Sequence, residues 1–281
     1  MIKLFRFSFV SIFFLLACTQ ASAEQATYRF CPVNQWDIPK TAAYWNPIIN
    51  YVSQKSGVKL ELKIGRTSAD TTAYVLAQEV EFVFSNHLFS PERDRLGWKV
   101  FGRRLGPDLK GQIAVLEDSP VRRLADLAGK EVVYAGPEAF VGYRLPHAEL
   151  TNRNIKVNAV FAGNQNAAFA QLLAGKADAV GSNSALIDGF EEKNGKKLRI
   201  LWTSEGYLDL ALMVSGKVNS KDAQAVADAF LGMHKNREGA AILKQVSEVV
   251  GMDSDTRFIP ASGKDYENYR RFYSTAPASV R

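Results

Sequence analysis

Residues 131–150 read EVVYAGPEAFVGYRLPHAEL. Glu131-Val132-Val133-Tyr134 is a short apolar run that ends in Ala135-Gly136-Pro137, which predicts a buried strand entering a turn. A helix is expected from Tyr143 to about Thr151. A strand that turns into a helix is half of a β-α-β unit, and such a turn is where backbone N–H groups converge on an anion. Yet its middle, Ala139-Phe140-Val141, carries no hydroxyl. The turn is therefore either a ligand site whose polar groups have been replaced, or a chain reversal alone.

The same alternation continues on both sides. Upstream, residues 112–116 form an expected strand and Ser119-Pro120 opens a short helix, with Pro at an early helical position. Downstream come a strand over 155–160, a helix over 166–173 stopped by Gly175, and strands over 177–180, 198–202 and 211–214. Residues 220–250 are mostly helical. Nearer the start, residues 27–31 form a first strand. Trp45, Ile48, Ile49 and Val52 then recur at i, i+3, i+4, i+7, and Gly57 ends that helix. Residues 58–64 alternate as VKLELKI, Asp70 is positioned to cap a helix over 71–77, and residues 81–84 form a short buried strand. Each half runs strand, helix, strand, helix, short strand, an order that gives a parallel sheet covered by helices. The expected fold is α/β with two lobes and a ligand cleft between them. Residues 24–112 make the first lobe, 113–206 the second, and 207–281 return to the first and add C-terminal helices. The chain crosses near 111–117 and again near 203–210, and two crossings make a hinge.

The first residues are a leader. Lys3 and Arg6 precede an apolar run from Phe7 to about Ala17, followed by Ala21-Ser22-Ala23. This is the layout of an export signal, too short for a permanent membrane span. Cleavage after Ala23 gives a mature start at Glu24, while Leu15-Leu16-Ala17-Cys18 is an alternative site that would place a lipid on Cys18. The formal net charge is +6, and loss of Lys3 and Arg6 leaves +4 with no basic block, so nucleic acid is not a partner. Of the two cysteines, only Cys31 lies beyond the leader, so no internal disulfide forms. Cys31 is either a buried small hydrophobe or a thiol facing the cleft. His87, His147 and His234 are far apart and sit in no metal-binding spacing. There is no G-x-S-x-G elbow or G-x-x-x-x-G-K-[ST] loop. An enzyme, a metal and a cofactor are all unexpected.

Three motifs carry a resemblance. Residues 119–132, SPVRRLADLAGKEV, resemble the S-P-h-x-x-L-x-D-L-x-G-K-x-V pattern of periplasmic binding proteins of the second structural type. Residues 173–180, LAGKADAV, resemble their L-x-x-G-x-x-D-A-h pattern. Residues 198–204, LRILWTS, look like the L-R-V-L-W-x-S crossing of the branch that binds phosphate, phosphite and phosphonate for ABC transporters, and Trp45-Asn46-Pro47-Ile48 resembles its W-x-P-h helix. The resemblance implies a monomer that captures one small molecule, anionic in that branch, and closes over it for an inner-membrane permease. An alternative is a sensor that shows its closed form to a membrane receptor or histidine kinase. The ligand positions depart from the branch. Its turn D-P-x-S-T-S-G-[YF] is here Gly136-Pro137-Glu138-Ala139-Phe140-Val141-Gly142-Tyr143, so three hydroxyls are gone. The branch's Tyr after the second strand is Ser68, its His is Asn164, its G-x-x-D is Gln78-Glu79-Val80-Glu81, and Ser85-Asn86 precede His87-Leu88 where G-P or G-N is usual.

Ligands of open α/β sheets bind beyond the C-terminal ends of the strands. The candidates there are Asn34, Gln35 and Trp36, then Ser68, then Asn86 and His87. The second lobe offers Phe140, Tyr143 and Arg144, then Asn164, Gln165 and Asn166, then Ser182 and Asn183, with Tyr207 near the return crossing. Trp36 and Phe140 either face the ligand or pack in a lobe. Arg144 either grips an anion bidentately or stands in solvent. Asn164 and Asn166 either reach the ligand or cap a helix, and His87 is a neutral contact or a structural residue.

Overall fold

The computed structural model describes residues 26–281; the expected leader, the cut after Ala23 and Cys18 lie outside the described residues. The chain opens with β1 (Thr27–Pro32), α1 (Ile38–Ser56), β2 (Lys59–Leu62), α2 (Ser68–Leu76), β3 (Phe82–Ser85), the short α3 (Pro91–Asp94) and β4 (Lys99–Arg104). It then lays down β5 (Leu109–Leu116), β6 (Glu131–Tyr134), α4 (Leu145–Asn152), β7 (Asn158–Phe161), α5 (Gln165–Leu173), β8 (Ala179–Asn183), α6 (Ser184–Asn194) and β9 (Leu198–Tyr207). It closes with β10 (Ala211–Val214), α7 (Ser220–Gly232), α8 (Arg237–Val250), β11 (Phe258–Pro260) and α9 (Glu267–Thr275).

These strands form two sheets, ordered β11-β4-β10-β3-β1-β2 and β7-β6-β8-β5-β9. Each sheet holds a parallel trio, β2-β1-β3 in one and β7-β6-β8 in the other. Beside each trio lies one antiparallel strand that has just crossed from the other lobe, β10 against β3 and β5 against β8. The two lobes are therefore interleaved, and the chain crosses through residues 105–108 and 208–210. The first passage lies upstream of the expected 111–117, because β5 already pairs with β9 from Leu109.

Local chemistry sets the element ends. Asp37 caps α1 by accepting from the Lys40 N–H at 2.9 Å, and Gly57, at φ 68°, closes it in a left-handed turn. Asp70 is not the cap of α2: Thr67 is, with Asp70 as its capping-box partner, because Thr67 has the extended backbone and its hydroxyl accepts from the Asp70 N–H. Ser119-Pro120 opens no helix; Asp126 instead collects the N–H groups of Arg122 and Arg123 and winds a single 3-10 turn, Leu124–Leu127. β4 and α6 have little periodic signal. β4 is recruited by pairing on both sides, and α6 by its Asn183 cap.

The first sheet is covered on one face by α1, α7 and α8, where Phe30, Trp45, Phe230 and Phe258 pack together. The second sheet has cores on both faces, one around Val133, Phe169 and Phe190, the other around Val132, Tyr134 and Leu150. A further apolar cluster joins residues of both lobes. It contains Cys31, Val83 and Phe89 from the first, Phe140, Val141 and Leu145 from the second, and Tyr266, Tyr269 and Tyr273 from the C-terminal segment.

Candidate functional site

The strand ends of both lobes lead into the seam between the sheets. After β1, Asn34 is buried; its Nδ2 donates to the Gly65 carbonyl at 2.8 Å and its Oδ1 accepts from Thr71 Oγ1. After β3, Asn86 and His87 are buried. The His87 N–H donates to Ser85 Oγ, and its Nδ1 lies 2.9 Å from Thr72 Oγ1. Asn86 Nδ2 reaches Tyr269 Oη at 3.4 Å, and that hydroxyl donates to the Leu208 carbonyl in the second passage.

The turn from the second lobe meets them. The helix starts earlier than Tyr143: residues Phe140–Arg144 form a π-turn in which the Ala139 carbonyl accepts from both Tyr143 and Arg144. This places Phe140 inward, with ring centroids 4.3 Å from Tyr269 and 5.2 Å from Tyr207. Arg144, 6% exposed, donates from Nη1 to the Val280 carbonyl at 2.8 Å and from Nη2 to Glu138 at 3.3 Å. Arg93, from α3 in the first lobe, holds the same carboxylate through both Nη atoms, at 2.5 and 3.2 Å. Two donors on the second-lobe wall have no partner among the described residues, Arg144 Nε and Gln165 Nε2. The side-chain oxygen of Gln165 lies 3.7 Å from where a Cβ on Gly142 would stand, and the Ser182 backbone is equally close.

The site's electrostatics follow from burial and charge. Burial drives the His87 imidazole down to about 3, with Arg93 and Arg144 adding to the effect against the pull of Glu138. His87 is therefore neutral. Burial alone would raise the Glu138 carboxyl, but its hydrogen bonds with Arg93 and the charges of Arg93 and Arg144 outweigh that and hold it at about 2. Burial pushes the Cys31 thiol up to about 12, which leaves it protonated and unreactive.

The His87 shift has a sign. An unfolded imidazole protonates near 6.5 and this one only near 3, so in that interval the unfolded chain binds the extra proton. Stability should fall as pH drops through that window, by about 1.4 kcal/mol per pH unit for one group. His147, also lowered by burial, adds slope in the same direction. In urea titrations from pH 6.5 to 4, His87→Gln should lose about one proton's share of the slope. An unchanged slope would mean that His87 is solvated in the fold.

The structure brings Asn86, His87, Phe140, Arg144 and Tyr207 into one neighbourhood, while Asn34 bonds to Thr71, the residue before the Thr72 that meets His87. Trp36 packs 5.2 Å from Tyr44 in the first-lobe core, and Gln35 accepts from Arg104 at 3.2 Å. Tyr143 packs edge-on against Tyr134 and Phe161 and tilted against His147 inside the second lobe. Asn164 and Asn183 cap α5 and α6, Asn166 is exposed, Ser182 is buried and Ser68 opens α2. Four participants carry no expectation from sequence: Thr72, Arg93, Glu138 and Tyr269. Glu138 lies inside the turn that opens the sequence reading, but Arg93 is 45 residues away and Tyr269 more than 100, and no local spacing pairs them.

Residues 37–266 match the family model described as "ABC transporter, phosphonate, periplasmic substrate-binding protein". No curated protein matches the sequence. Among solved structures, the fold is similar to a binding protein component of an ABC phosphonate transporter from Pseudomonas aeruginosa, at 13% identity and a TM-score of 0.73 over 89% of this chain and 88% of that one. It is also similar to PhnD1 of Prochlorococcus marinus in complex with methylphosphonate, at 15% identity and TM-score 0.71 over 87% and 96%. A Xanthomonas citri protein bound to ATP follows at 15% and 0.69, over 88% and 96%. Among the described residues no helix is long and apolar enough to cross a membrane.

Proposed function

The chain belongs to the family of periplasmic substrate-binding proteins of phosphonate ABC transporters, and from that premise we propose that it captures one small anionic molecule between its lobes and presents the closed form to an inner-membrane permease. The observation that carries the anion is Arg144. Its guanidinium is buried at the seam, and its Nε has no acceptor among the described residues. A buried donor left unmade costs about 1–3 kcal/mol, so a ligand acceptor at that point is favoured. Gln165 Nε2 on the same wall adds a second donor. With the three turn hydroxyls absent, Arg93, Arg144 and Gln165 do the work of oxyanion recognition, and Phe140, Tyr207 and Asn86 line the remainder. The protein works as an exported monomer, without cofactor or chemistry.

A thermal-shift panel on the chain beginning at Glu24 tests this, with phosphate, phosphite, alkylphosphonates, sulfonates, amino acids and aromatic acids. A ligand at 100 times its dissociation constant adds about 2.7 kcal/mol, which should raise the midpoint by several degrees. The expected outcome is a rise with one class of anion, lost in Arg144→Gln. A rise with a neutral solute and none with any anion would refute it.

A further inference from the structure

The two guanidinium groups that would grip a ligand anion already hold a carboxylate, Arg144 through Nη2 with its Nε left over. Glu138 lies in the second-lobe turn, and Arg93 reaches it from the first lobe with two parallel N–H···O contacts of 2.5 and 3.2 Å. Arg144 adds a third at 3.3 Å. Both arginines are fixed from behind, Arg93 by donating to the His87 carbonyl at 2.9 Å and Arg144 by donating to the Val280 carbonyl at 2.8 Å. The side chains of Arg93, Glu138 and Arg144 are only 18%, 16% and 8% exposed, so salt screens them little. This fork-on-carboxylate arrangement is the one an incoming carboxylate or phosphonate would adopt.

The geometry points to Glu138 as a tethered stand-in for the ligand's anionic group, tying the two lobes shut in the ligand-free chain and yielding Arg93 and Arg144 only when displaced. The displacement rests on the anion reading above; the tie between lobes stands without it. A group attached by a short segment competes at an effective concentration on the order of millimolar, so weakly held anions are excluded and Glu138 sets the affinity threshold of the cleft. It occupies the turn position just before the three missing hydroxyls, and Phe140 two residues on seals the seam with Tyr207 and Tyr269.

Small-angle scattering of the purified ligand-free chain, with calorimetric titration of methylphosphonate as a separate arm, tests the tie. The wild type should already scatter as the closed arrangement. Glu138→Gln, which keeps the shape and removes the charge, should give a larger radius of gyration and at least a tenfold gain in methylphosphonate affinity. Arg93→Gln breaks the same tie from the other lobe and should open the chain as well, which keeps the test decisive if one variant does not fold. An open wild type, or a Glu138→Gln or Arg93→Gln protein that stays closed, overturns the proposal. A Glu138→Gln protein that opens yet binds no methylphosphonate upholds the tie and counts against the anion reading instead.

Discussion

Replacing Arg104 by alanine should lower unfolding stability by about 3–5 kcal/mol, the usual cost of stranding one partner of a buried ion pair. Arg104 ends β4 beside the first passage, and Asp209 lies in the second. Arg104 Nε donates to Asp209 Oδ2 at 2.8 Å, and both side chains are less than a tenth exposed. The guanidinium also donates to Gln35 at 3.2 Å, and the Asp209 carbonyl accepts from Tyr266 at 2.8 Å. One pair thus ties the start of the first passage to the second, to the first strand-end loop and to the C-terminal segment. Urea unfolding should show a lower midpoint with an unchanged slope. The double replacement Arg104→Met with Asp209→Leu should recover most of the loss, since no charge is then left alone. A loss under 1 kcal/mol in Arg104→Ala would mean that water reaches Asp209.

Phe140→Ala should be of similar size, about 3–5 kcal/mol, for a different reason. Phe140 is 1% exposed, and its ring meets Tyr207, Tyr269, Phe272 and Tyr273 at centroid distances of 4.3 to 5.6 Å. These partners come from the end of β9 and from α9. Truncation leaves a cavity where the second lobe, the hinge and the C-terminal helix converge. Amide exchange should therefore quicken across α9 while α7 and α8, which pack on the far face of the first sheet, keep their protection. Phe140→Leu should cost less, because it keeps the apolar volume and loses mainly ring contacts. If Phe140→Ala leaves α9 as protected as in the wild type, the helix is held by its own lobe alone.

How much of this was legible in the sequence depends on the range of the interaction. The strands around Phe30, Val83, Val133 and Val180 were legible because buried parallel strands are short apolar runs. The helix over Trp45, Ile48, Ile49 and Val52 was legible because 3.6-residue periodicity is local. β4 was not, since it is a strand only by pairing with β10 and β11 from more than a hundred residues downstream. The first passage was placed late for the same reason: the partner that makes Leu109 a strand residue is Tyr207. Near the seam, strand-end logic named Asn86, His87, Phe140, Arg144 and Tyr207, and the structure sets these five close together. It left open whether Asn164 caps a helix and whether Trp36 packs in its lobe, which the structure settles as a cap and as packing on Tyr44, and it did not raise the Asn183 cap.

By itself, then, the sequence determined the alternating α/β order, the two-lobed plan and the loss of hydroxyls in one turn, because each of these is written in neighbouring residues. Only the tertiary structure decided which side chains gather beside that turn. Glu138, Arg93 and Arg144 become one charge cluster because the two lobes meet there, and burial in that seam, rather than any local motif, makes their pairing strong and leaves His87 neutral.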